Sequence, residues 1–301
     1  MTNESIHVGV CICTYKRPQF LKRLLEELAD QETDGRFTHS IVVVDNDYLE
    51  SAKHVVEEIA DRATIGIRYY VEPRQNIARA RNKAIENAPG NFVAFLDDDE
   101  FPTKRWLLTL MEARQKYGVD GVLGPVKPHF EQAPPRWVVE GRFYERPTYP
   151  TGYVIDGRKG RTGNVLLRRE LFSACEEHFR PQFQTGEDQD FFRRMIEKGY
   201  VFIWCNEAVA YEVVPPARWT RAFMLKRALL RGANALLHPT FGAVDIVKSL
   251  IAIPTYLAIL PVALLSGQAR FMRYLVKIFD HLGRLLALVG IHPIREAYVL
   301  E

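Results

Sequence analysis

Short strand patterns and amphipathic helix patterns alternate along the N-terminal part of the chain. The strand patterns are β-branched and aromatic runs that end in polar residues: HVGVCIC (7–13), SIVVVD (40–45), GIRYYV (66–71) and NFVAFLD (91–97). Helix patterns lie between them, at residues 18–29, 51–62 and 77–87. This alternation predicts βαβ units and therefore an α/β fold, with a mostly parallel, Rossmann-like sheet flanked by helices.

Acidic residues end two of these strand patterns. The second strand ends on Asp45, and the fourth runs into Asp97, Asp98, Asp99 and Glu100. Ligands of parallel sheets bind beyond the carboxyl ends of the strands, so these acids are candidate site residues. Asp45 can accept a hydrogen bond from a base imide, and the acidic run supplies oxygen ligands for Mg²⁺ or Mn²⁺. A solvated acidic turn is the alternative interpretation.

Basic residues are predicted at the same edge of the sheet. The first strand leads into CTYKRP, which contains Thr14, Tyr15 and Arg17, and the helix before the fourth strand contains Arg79 and Arg81. Arginine guanidinium groups bind phosphate oxygens well. The sequence has no G-x-x-x-x-G-K-[ST] and no G-x-G-x-x-G motif. The pocket is therefore expected to hold a nucleotide diphosphate whose charge a metal ion neutralises.

Composition argues against some classes of function. A formal net charge of +3 over 301 residues argues against nucleic acid as a partner. Four cysteines without metal-finger spacing predict reduced thiols in a cytosolic enzyme, and the start MTNESIHVGV does not resemble a secretory signal.

The runs VCICTYKRP, IVVVDND, NIARARN and FLDDDE, in this order and spacing, resemble the nucleotide-sugar-binding half of family 2 inverting glycosyltransferases, which have the GT-A fold. The later runs DGVLGPV, PPRW, TGNVLLRRELF and TGEDQDFFRRMIEKGYVF resemble bacterial exopolysaccharide glucosyltransferases of the succinoglycan type. The resemblance implies a UDP-sugar donor, Mg²⁺ or Mn²⁺, inversion at the anomeric carbon, and a polyprenyl-diphosphate-linked glycan acceptor. It also implies a location at the cytoplasmic face of the bacterial inner membrane.

The same resemblance implies roles for the residues near the nucleotide. Thr14 and Asp45 match positions that recognise the base, and Tyr15 and Arg17 line the same wall. Arg81 matches the basic residue that reaches toward the diphosphate.

The acidic run matches the D-x-D pattern of the family. Asp99 is the predicted direct metal ligand, and Asp97 lies near the ribose and completes the metal site. Asp98 is a candidate for either role, as a metal ligand or as a neighbour of the ribose.

An inverting transfer needs a carboxylate that takes the proton of the attacking hydroxyl, close to that hydroxyl rather than to the metal. The run TGEDQDFF supplies candidates at the start of a predicted helix, Gln189–Lys198. Asp188 matches the base position of the family, Glu187 is a supporting acid, and Asp190 is a further candidate. The alternative is that these acids only cap the helix N-terminus.

The stretch between Val213 and Val244 contains no acid and several basic residues. Arg218 with Trp219 resembles an arginine and tryptophan that close over the diphosphate in related enzymes. Contact of these cations with anionic lipid headgroups is an equal alternative. Many relatives have a histidine where this chain has Tyr211, which puts a second metal or phosphate contact there in doubt.

Residues 249–268 contain no charged side chain. That length just fits a bilayer span, but Pro254, Pro261 and the amphipathic segment that follows favour a monotopic or re-entrant hairpin. A buried helix pair or a homodimer contact is the alternative. The sequence thus predicts a glycosyltransferase domain at 1–240, with a nucleotide-sugar half (1–125) and an acceptor and catalytic half (126–240), and a membrane-association region at 241–301.

Residues 127–161 are rich in proline, arginine and aromatic residues and are predicted to form an acceptor-side wall. Two other functions remain open: a metal-dependent phosphohydrolase, and a non-catalytic membrane scaffold that binds a nucleotide sugar. The phosphohydrolase leaves the acids of TGEDQDFF and these loops without a role.

Overall fold

The structure is a computed structural model that describes residues 6–175, 177–183, 186–237 and 241–294. The strands are β1 (His7–Thr14), β2 (Thr38–Asp45), β3 (Ile67–Val71), β4 (Phe92–Asp97), β5 (Glu100–Pro102), β6 (Gly121–Leu123), β7 (Val126–His129), β8 (Val165–Arg168), β9 (Phe202–Trp204) and β10 (Ala210–Val213). The helices are α1 (Pro18–Ala29), α2 (Lys53–Ala60), α3 (Ile77–Asn87), α4 (Trp106–Tyr117), α5 (Arg136–Gly141), α6 (Glu170–Ser173), α7 (Glu187–Glu197), α8 (Arg221–Asn234), α9 (Ala243–Leu265) and α10 (Gln268–Leu288).

The central sheet has seven strands in the order β3-β2-β1-β4-β8-β6-β9. Strand β1 is parallel to β2 and β4, and β2 is parallel to β3, whereas β8 runs antiparallel to β4 and β6. Thr14 pairs with Asp45 across β1 and β2, and Cys13 pairs with Asp97 across β1 and β4. The predicted α/β fold with a mostly parallel sheet is confirmed, and the ends of β1, β2 and β4 meet at one edge.

Helices cover both faces of this sheet. Helix α1 packs against one face through four buried leucines: Leu21, Leu24, Leu25 and Leu28. Helix α3 packs against the other face through Ala78, Ala84 and Ile85, which share a cluster with Val42 and Val44 of β2. Burial on both faces explains why the strands appear in the sequence as continuous apolar runs rather than as alternating patterns.

The structure defines the starts of four helices near the sheet. Pro18 occupies the first turn of α1, as the sequence predicts. Helix α3 begins after Asn76, whose side chain accepts from the backbone N–H of Arg79 at 3.0 Å. Helix α2 spans Lys53–Ala60 rather than the predicted 51–62, and the backbone N–H of Ala52, just before it, donates to the Asp45 carboxylate at 2.8 Å. Helix α7 begins at Glu187 rather than at the predicted Gln189.

The chain divides into two compact units. The first unit comprises the chain up to Pro128, Arg146–Gln182 and Gly186–Val213, and it contains the central sheet. The second unit includes His129–Glu145 and the chain from Val214 onward, with helices α5, α8, α9 and α10. Within it, α8 and α10 approach closely at Gly232 and Gly283, where an added Cβ would overlap the backbone of the facing helix.

Asn164 is a buried connector ahead of β8. Its amide donates to Pro125 O at 2.8 Å and to Ala208 O at 2.7 Å, and its oxygen accepts from Trp106 Nε1 at 2.7 Å. Its φ of 66° lies in the left-handed region, which asparagine tolerates better than alanine.

We expect Asn164→Ala to lower the free energy of unfolding by about 3 kcal/mol, because three hydrogen bonds are lost and their buried partners stay unpaired. Urea unfolding measures the loss. The exposed Asn206→Ala is the control, with a change of less than about 0.5 kcal/mol. A loss below about 1 kcal/mol for Asn164→Ala would show that the connector is dispensable.

Candidate active site

Asp45, at the end of β2, is fully buried and held by three donors. Its Oδ1 accepts from the backbone N–H of Asp47 at 2.9 Å, and its Oδ2 accepts from Ala52 N–H at 2.8 Å and from Tyr69 Oη–H at 2.9 Å. A carboxylate offers about four acceptor positions, and these three donors occupy most of them. The carboxylate therefore has a fixed orientation at the edge of the sheet.

The end of β1 is joined to the acidic run. Thr14 Oγ1 donates to Asp98 Oδ2 at 2.8 Å. Arg17 Nη1 donates to Asp98 Oδ1 and to Asp99 Oδ2, both at 3.3 Å. Burial raises the pKa of Asp98 to about 7, the Asp99 charge adds to that effect, and the Arg17 charge opposes it. The structure thus brings four of the predicted site residues into direct contact.

Glu100 holds the turn that contains the three aspartates. Its Oε2 accepts from the backbone N–H of Asp97 at 3.2 Å, and its Oε1 lies 3.8 Å from Arg146 Nη1. Arg146 also forms an ion pair with Glu212. Burial raises the pKa of Glu100 well above its ordinary value, and the Asp97 charge raises it further.

The acidic run fits a divalent cation that arrives with a phosphate ligand. In the part of the chain that the structure describes, no three His, Cys, Asp or Glu side chains are grouped to hold a metal by themselves. Mg²⁺ is commonly bound by one or two carboxylates together with substrate phosphates. Asp97 and Asp99 offer carboxylates for that donor set, and Asp98 lies between them; Asp98 and Asp99 also contact the cationic Arg17.

Arg81 connects the acidic run to the start of α7. Its Nη1 donates to Glu187 Oε1, and its Nη2 donates to Asp97 Oδ1 at 3.3 Å. The arginine is 7% exposed and Glu187 is 4% exposed. Burial raises the pKa of Glu187 to about 7, Arg81 opposes this shift, and Asp188 adds to it. Two sets of predicted site residues, far apart in sequence, therefore lie together within the first unit.

Asp188 lies in the first turn of α7, beside that pair. Its Oδ1 accepts from Gln189 N–H at 2.7 Å, and its carboxylate also accepts from the backbone N–H of Thr162. Desolvation raises the pKa of Asp188, against the opposing charge of Arg81. A raised pKa makes a carboxylate a stronger base near neutral pH.

Asp190, the further candidate, has its carboxylate in ion pairs. Arg193 Nη2 donates to its Oδ1 and Arg194 Nε donates to its Oδ2, both at 2.8 Å. The side chain is 4% exposed. Both arginines belong to α7, so these ion pairs stabilise the helix itself.

The profile of the family named "Glycosyl transferase family 2" matches residues 9–174. The succinoglycan biosynthesis protein ExoM of Rhizobium meliloti (strain 1021) is 37% identical over 235 residues, which cover 77% of this chain and 75% of that protein. The chain belongs to glycosyltransferase family 2. A second relative, glycosyltransferase AglE of Haloferax volcanii, is 29% identical over 218 residues, which cover 72% of this chain and 70% of that protein.

Solved structures confirm the predicted GT-A fold of this family 2 protein. The mannosyltransferase PcManGT from Pyrobaculum calidifontis, in complex with GDP-Man and Mn²⁺, has a TM-score of 0.62 at 19% identity, over 96% of this chain and 87% of that one. Staphylococcus aureus TarS 1–349 in complex with UDP-GlcNAc has a TM-score of 0.52 at 15% identity, over 96% and 93% of the two chains.

The remaining predicted site residues of the family 2 chain lie in different places. Tyr15 is half-buried in the first unit, and Lys16 Nζ lies 5.1 Å from its ring centroid. Arg218 and Trp219 belong to the second unit, where both are buried in a short 3₁₀-helix, Pro216–Trp219. Trp219 contacts Phe130 edge-on, with centroids 5.8 Å apart. Closure of Arg218 and Trp219 over a diphosphate stays a prediction.

Sequence reasoning missed Arg146, which lies beside Glu100, and Glu212, which forms an ion pair with Arg146. Each is far along the chain from the acidic run, and no local pattern links them to it. It also missed Thr162, which contributes to the site through its backbone. At the position where many relatives have histidine, Tyr211 stacks on Phe101 with centroids 5.4 Å apart.

Proposed function

We propose that this family 2 enzyme transfers a hexose from a UDP-sugar to a hydroxyl of a polyprenyl-diphosphate-linked oligosaccharide, and that the hexose is glucose. The reaction inverts the anomeric carbon and serves exopolysaccharide or surface glycan assembly. The observation that carries the proposal is the contact of the buried Arg81 with both Asp97 and Glu187, which brings a strand-end acid beside an acid of α7. The similarity to ExoM, a protein named for succinoglycan biosynthesis, supports the exopolysaccharide assignment.

The donor lies at the carboxyl edge of the sheet in this proposal. Thr14 and Asp45 recognise the base, with Tyr15 and Arg17 along the same wall. The fixed Asp45 carboxylate supports this assignment because an acceptor of constant orientation can select a base imide.

The acids Asp97 and Asp99 hold Mg²⁺ or Mn²⁺, with Asp98 between them. The bound metal supplies Lewis-acid stabilisation of the departing diphosphate. The chain's own contribution is the fixed turn, which Glu100 fastens through the backbone N–H of Asp97.

Asp188 is the proposed base, and Glu187 supports it. The acceptor oxygen forms a bond to the anomeric carbon as the bond from that carbon to the diphosphate oxygen breaks. The Asp188 carboxylate takes the hydroxyl proton, and UDP leaves with the bonding electron pair. The hydrogen bonds from Gln189 and Thr162 orient the carboxylate for this transfer.

A panel of UDP-glucose, UDP-galactose, UDP-GlcNAc and GDP-mannose, tested with Mg²⁺ and Mn²⁺, tests the donor and the metal. We expect UDP-glucose with metal to raise the melting temperature most and to support transfer. We expect Asp99→Asn to weaken metal-dependent UDP binding by at least about tenfold, because a charged ligand of the cation is lost. Isothermal titration of UDP with and without Mn²⁺ measures this.

The exposed Asp61→Asn is the matched control and should bind UDP as the wild type does. UDP binding that neither EDTA nor Asp99→Asn weakens would refute the metal assignment.

We also propose that α9 and α10 form a monotopic membrane-binding hairpin at the cytoplasmic face of the inner membrane. Helix α9 is continuous through Pro254 and Pro261, has 23 residues, and is long and apolar enough to cross a membrane. Only 11% of its most apolar window is buried within the protein. Large apolar side chains such as Ile251, at 62% exposed, and Leu257, at 51%, face outward. An exposed apolar surface of this size marks a membrane or protein contact.

Membrane binding predicts that the protein floats with vesicles of phosphatidylethanolamine and phosphatidylglycerol. The double variant Ile251→Asp, Leu257→Asp should bind at least about tenfold less, because two charged side chains replace apolar ones at the interface. Leu49→Asp, which changes a side chain of similar exposure in the first unit, is the control. Unchanged flotation of the double variant would contradict the membrane contact. A dimer that forms without vesicles in the wild type and is lost in the double variant would favour the homodimer contact instead.

A further inference from the structure

Six buried side-chain atoms among the described residues of the first unit have no hydrogen-bond partner: Ser51 Oγ, Glu100 Oε1, Arg161 Nε, Thr162 Oγ1, Arg180 Nε and Trp204 Nε1. Three of the six, Arg161 Nε, Thr162 Oγ1 and Glu100 Oε1, belong to residues that adjoin the acidic run. Native proteins leave few buried polar atoms unpaired, because desolvation without a compensating hydrogen bond is unfavourable. A concentration of such atoms in one place indicates that something outside the protein completes them.

The segment Arg161–Gly163 links these atoms to the site. The backbone N–H of Thr162 donates to the Asp188 carboxylate. At Gly163, an added Cβ would lie 2.9 Å from Glu100 Oε1 and 3.0 Å from Asp97 Oδ2. The segment therefore runs between the proposed base and the acidic run, and its glycine leaves the space in front of the two acids open.

Two partly exposed tyrosines lie near this segment. The Arg161 guanidinium lies 5.3 Å from the ring centroid of Trp204, which is fully buried in the core. Tyr149 meets Trp204 edge-on at 5.3 Å and stacks on Tyr153 at 4.7 Å, and both tyrosines are half-buried. Sugar rings commonly pack on aromatic side chains because their C–H groups present an apolar surface. Polar atoms near two accessible tyrosines therefore suit a carbohydrate.

The unpaired atoms indicate a neutral ligand rather than an anion. Arg161 can only donate, the Glu100 oxygen is an acceptor when ionised, and the Thr162 hydroxyl can do both. Sugar hydroxyls match such a mixed set, since each donates and accepts. An anionic group would instead face the nearby carboxylates of Glu100, Asp97 and Asp188.

We propose that Arg161 and Thr162 form the subsite for the acceptor sugar, a neutral hexopyranose, and position its hydroxyl beside Asp188. The inference rests on the proposed glycosyl transfer and adds the residues that select its acceptor. A base must lie within hydrogen-bond reach of the hydroxyl that it deprotonates, and Thr162 is the residue whose backbone contacts that base. The subsite is therefore assigned to the acceptor and not to the donor sugar.

Thr162→Val tests the subsite, since it replaces the unpaired hydroxyl by a methyl group of the same shape. Ligand-observed NMR titration with phenyl β-D-glucopyranoside, in the presence of UDP and Mn²⁺, measures the affinity. We expect Thr162→Val to weaken glucoside binding about fivefold and Arg161→Gln about tenfold or more. The affinity for UDP should stay within a factor of two in both variants, and the urea midpoint of Thr162→Val should not fall.

Thr109→Val is the matched control, because the Thr109 hydroxyl on α4 donates to Arg105 O and lies outside the site. It should leave glucoside binding unchanged. Where a transfer assay is running, the KM for the acceptor should rise in the Thr162 and Arg161 variants while the KM for the donor does not.

Three results would overturn the subsite. They are absent glucoside binding by the wild type, unchanged glucoside binding in both variants, and tighter binding of phenyl β-D-glucuronide than of the glucoside. A parallel loss of UDP affinity and stability in Thr162→Val would also do so, since it would show a structural role. Failure of the proposed function gives a different result: intact glucoside binding with no binding or transfer from any UDP-sugar.

Discussion

Asp188→Asn abolishes sugar transfer, with kcat lower by about 10²–10⁴-fold, while the affinity for the UDP-sugar stays within a factor of two. Asparagine keeps the shape of the side chain and can still accept the hydrogen bonds from Gln189 and Thr162, but it cannot take a proton. Desolvation raises the pKa of the Asp188 carboxyl, so the wild-type rate should rise with pH through a value above that of an ordinary aspartate.

Transfer to a lipid-linked acceptor, with UDP release followed separately, measures this effect. Asp190→Asn is the informative comparison, because that carboxylate is in ion pairs with Arg193 and Arg194 and its loss should reduce stability rather than chemistry. An Asp188→Asn enzyme that keeps more than about a tenth of the wild-type kcat would show that another group is the base.

Arg81→Met lowers the free energy of unfolding by about 3–5 kcal/mol, because it leaves Glu187 buried without its partner. The penalty should shrink as the pH falls through the raised pKa of Glu187, about 7 in the wild type, since the protonated side chain carries no charge. Urea unfolding at pH values from about 5 to about 8, on both sides of that pKa, measures both effects.

The double variant Arg81→Met, Glu187→Gln is the control for the ion pair. It should recover a large part of the stability, because neither charge remains unpaired. A loss below about 1 kcal/mol in Arg81→Met, or a double variant as unstable as the single one, would contradict the account of this contact.

The sequence predicts the first half of the sheet well because its strands are buried on both faces. The runs that become β1 to β4 are continuous and apolar, and α1 and α3 have clear starts at Pro18 and Asn76. The start of α2 is less accurate, since the backbone N–H of Ala52 donates to Asp45, a contact that no local pattern reveals. The strands after Asp97 have three or four residues each, which is too short for periodicity to identify.

Residue types in the site follow from the strand ends, but their pairings do not. Asp45, Asp97 and Arg17 stand where a parallel sheet presents its ligand-binding edge. Contacts such as Arg81 with Glu187 depend on the packing of α3 against the start of α7, which only the folded chain defines. The unpaired Thr162 hydroxyl is likewise invisible in sequence, because burial and the absence of a partner are properties of the fold.

A crystal structure with UDP and Mn²⁺, with the metal located by anomalous scattering, tests the central claim most directly. We expect one Mn²⁺ at about 2.1 Å from an Asp99 oxygen and bound to the diphosphate, with the uracil beside Thr14 and Asp45. A Mn²⁺ ion away from the acidic run, or a uracil far from Asp45, would contradict the account.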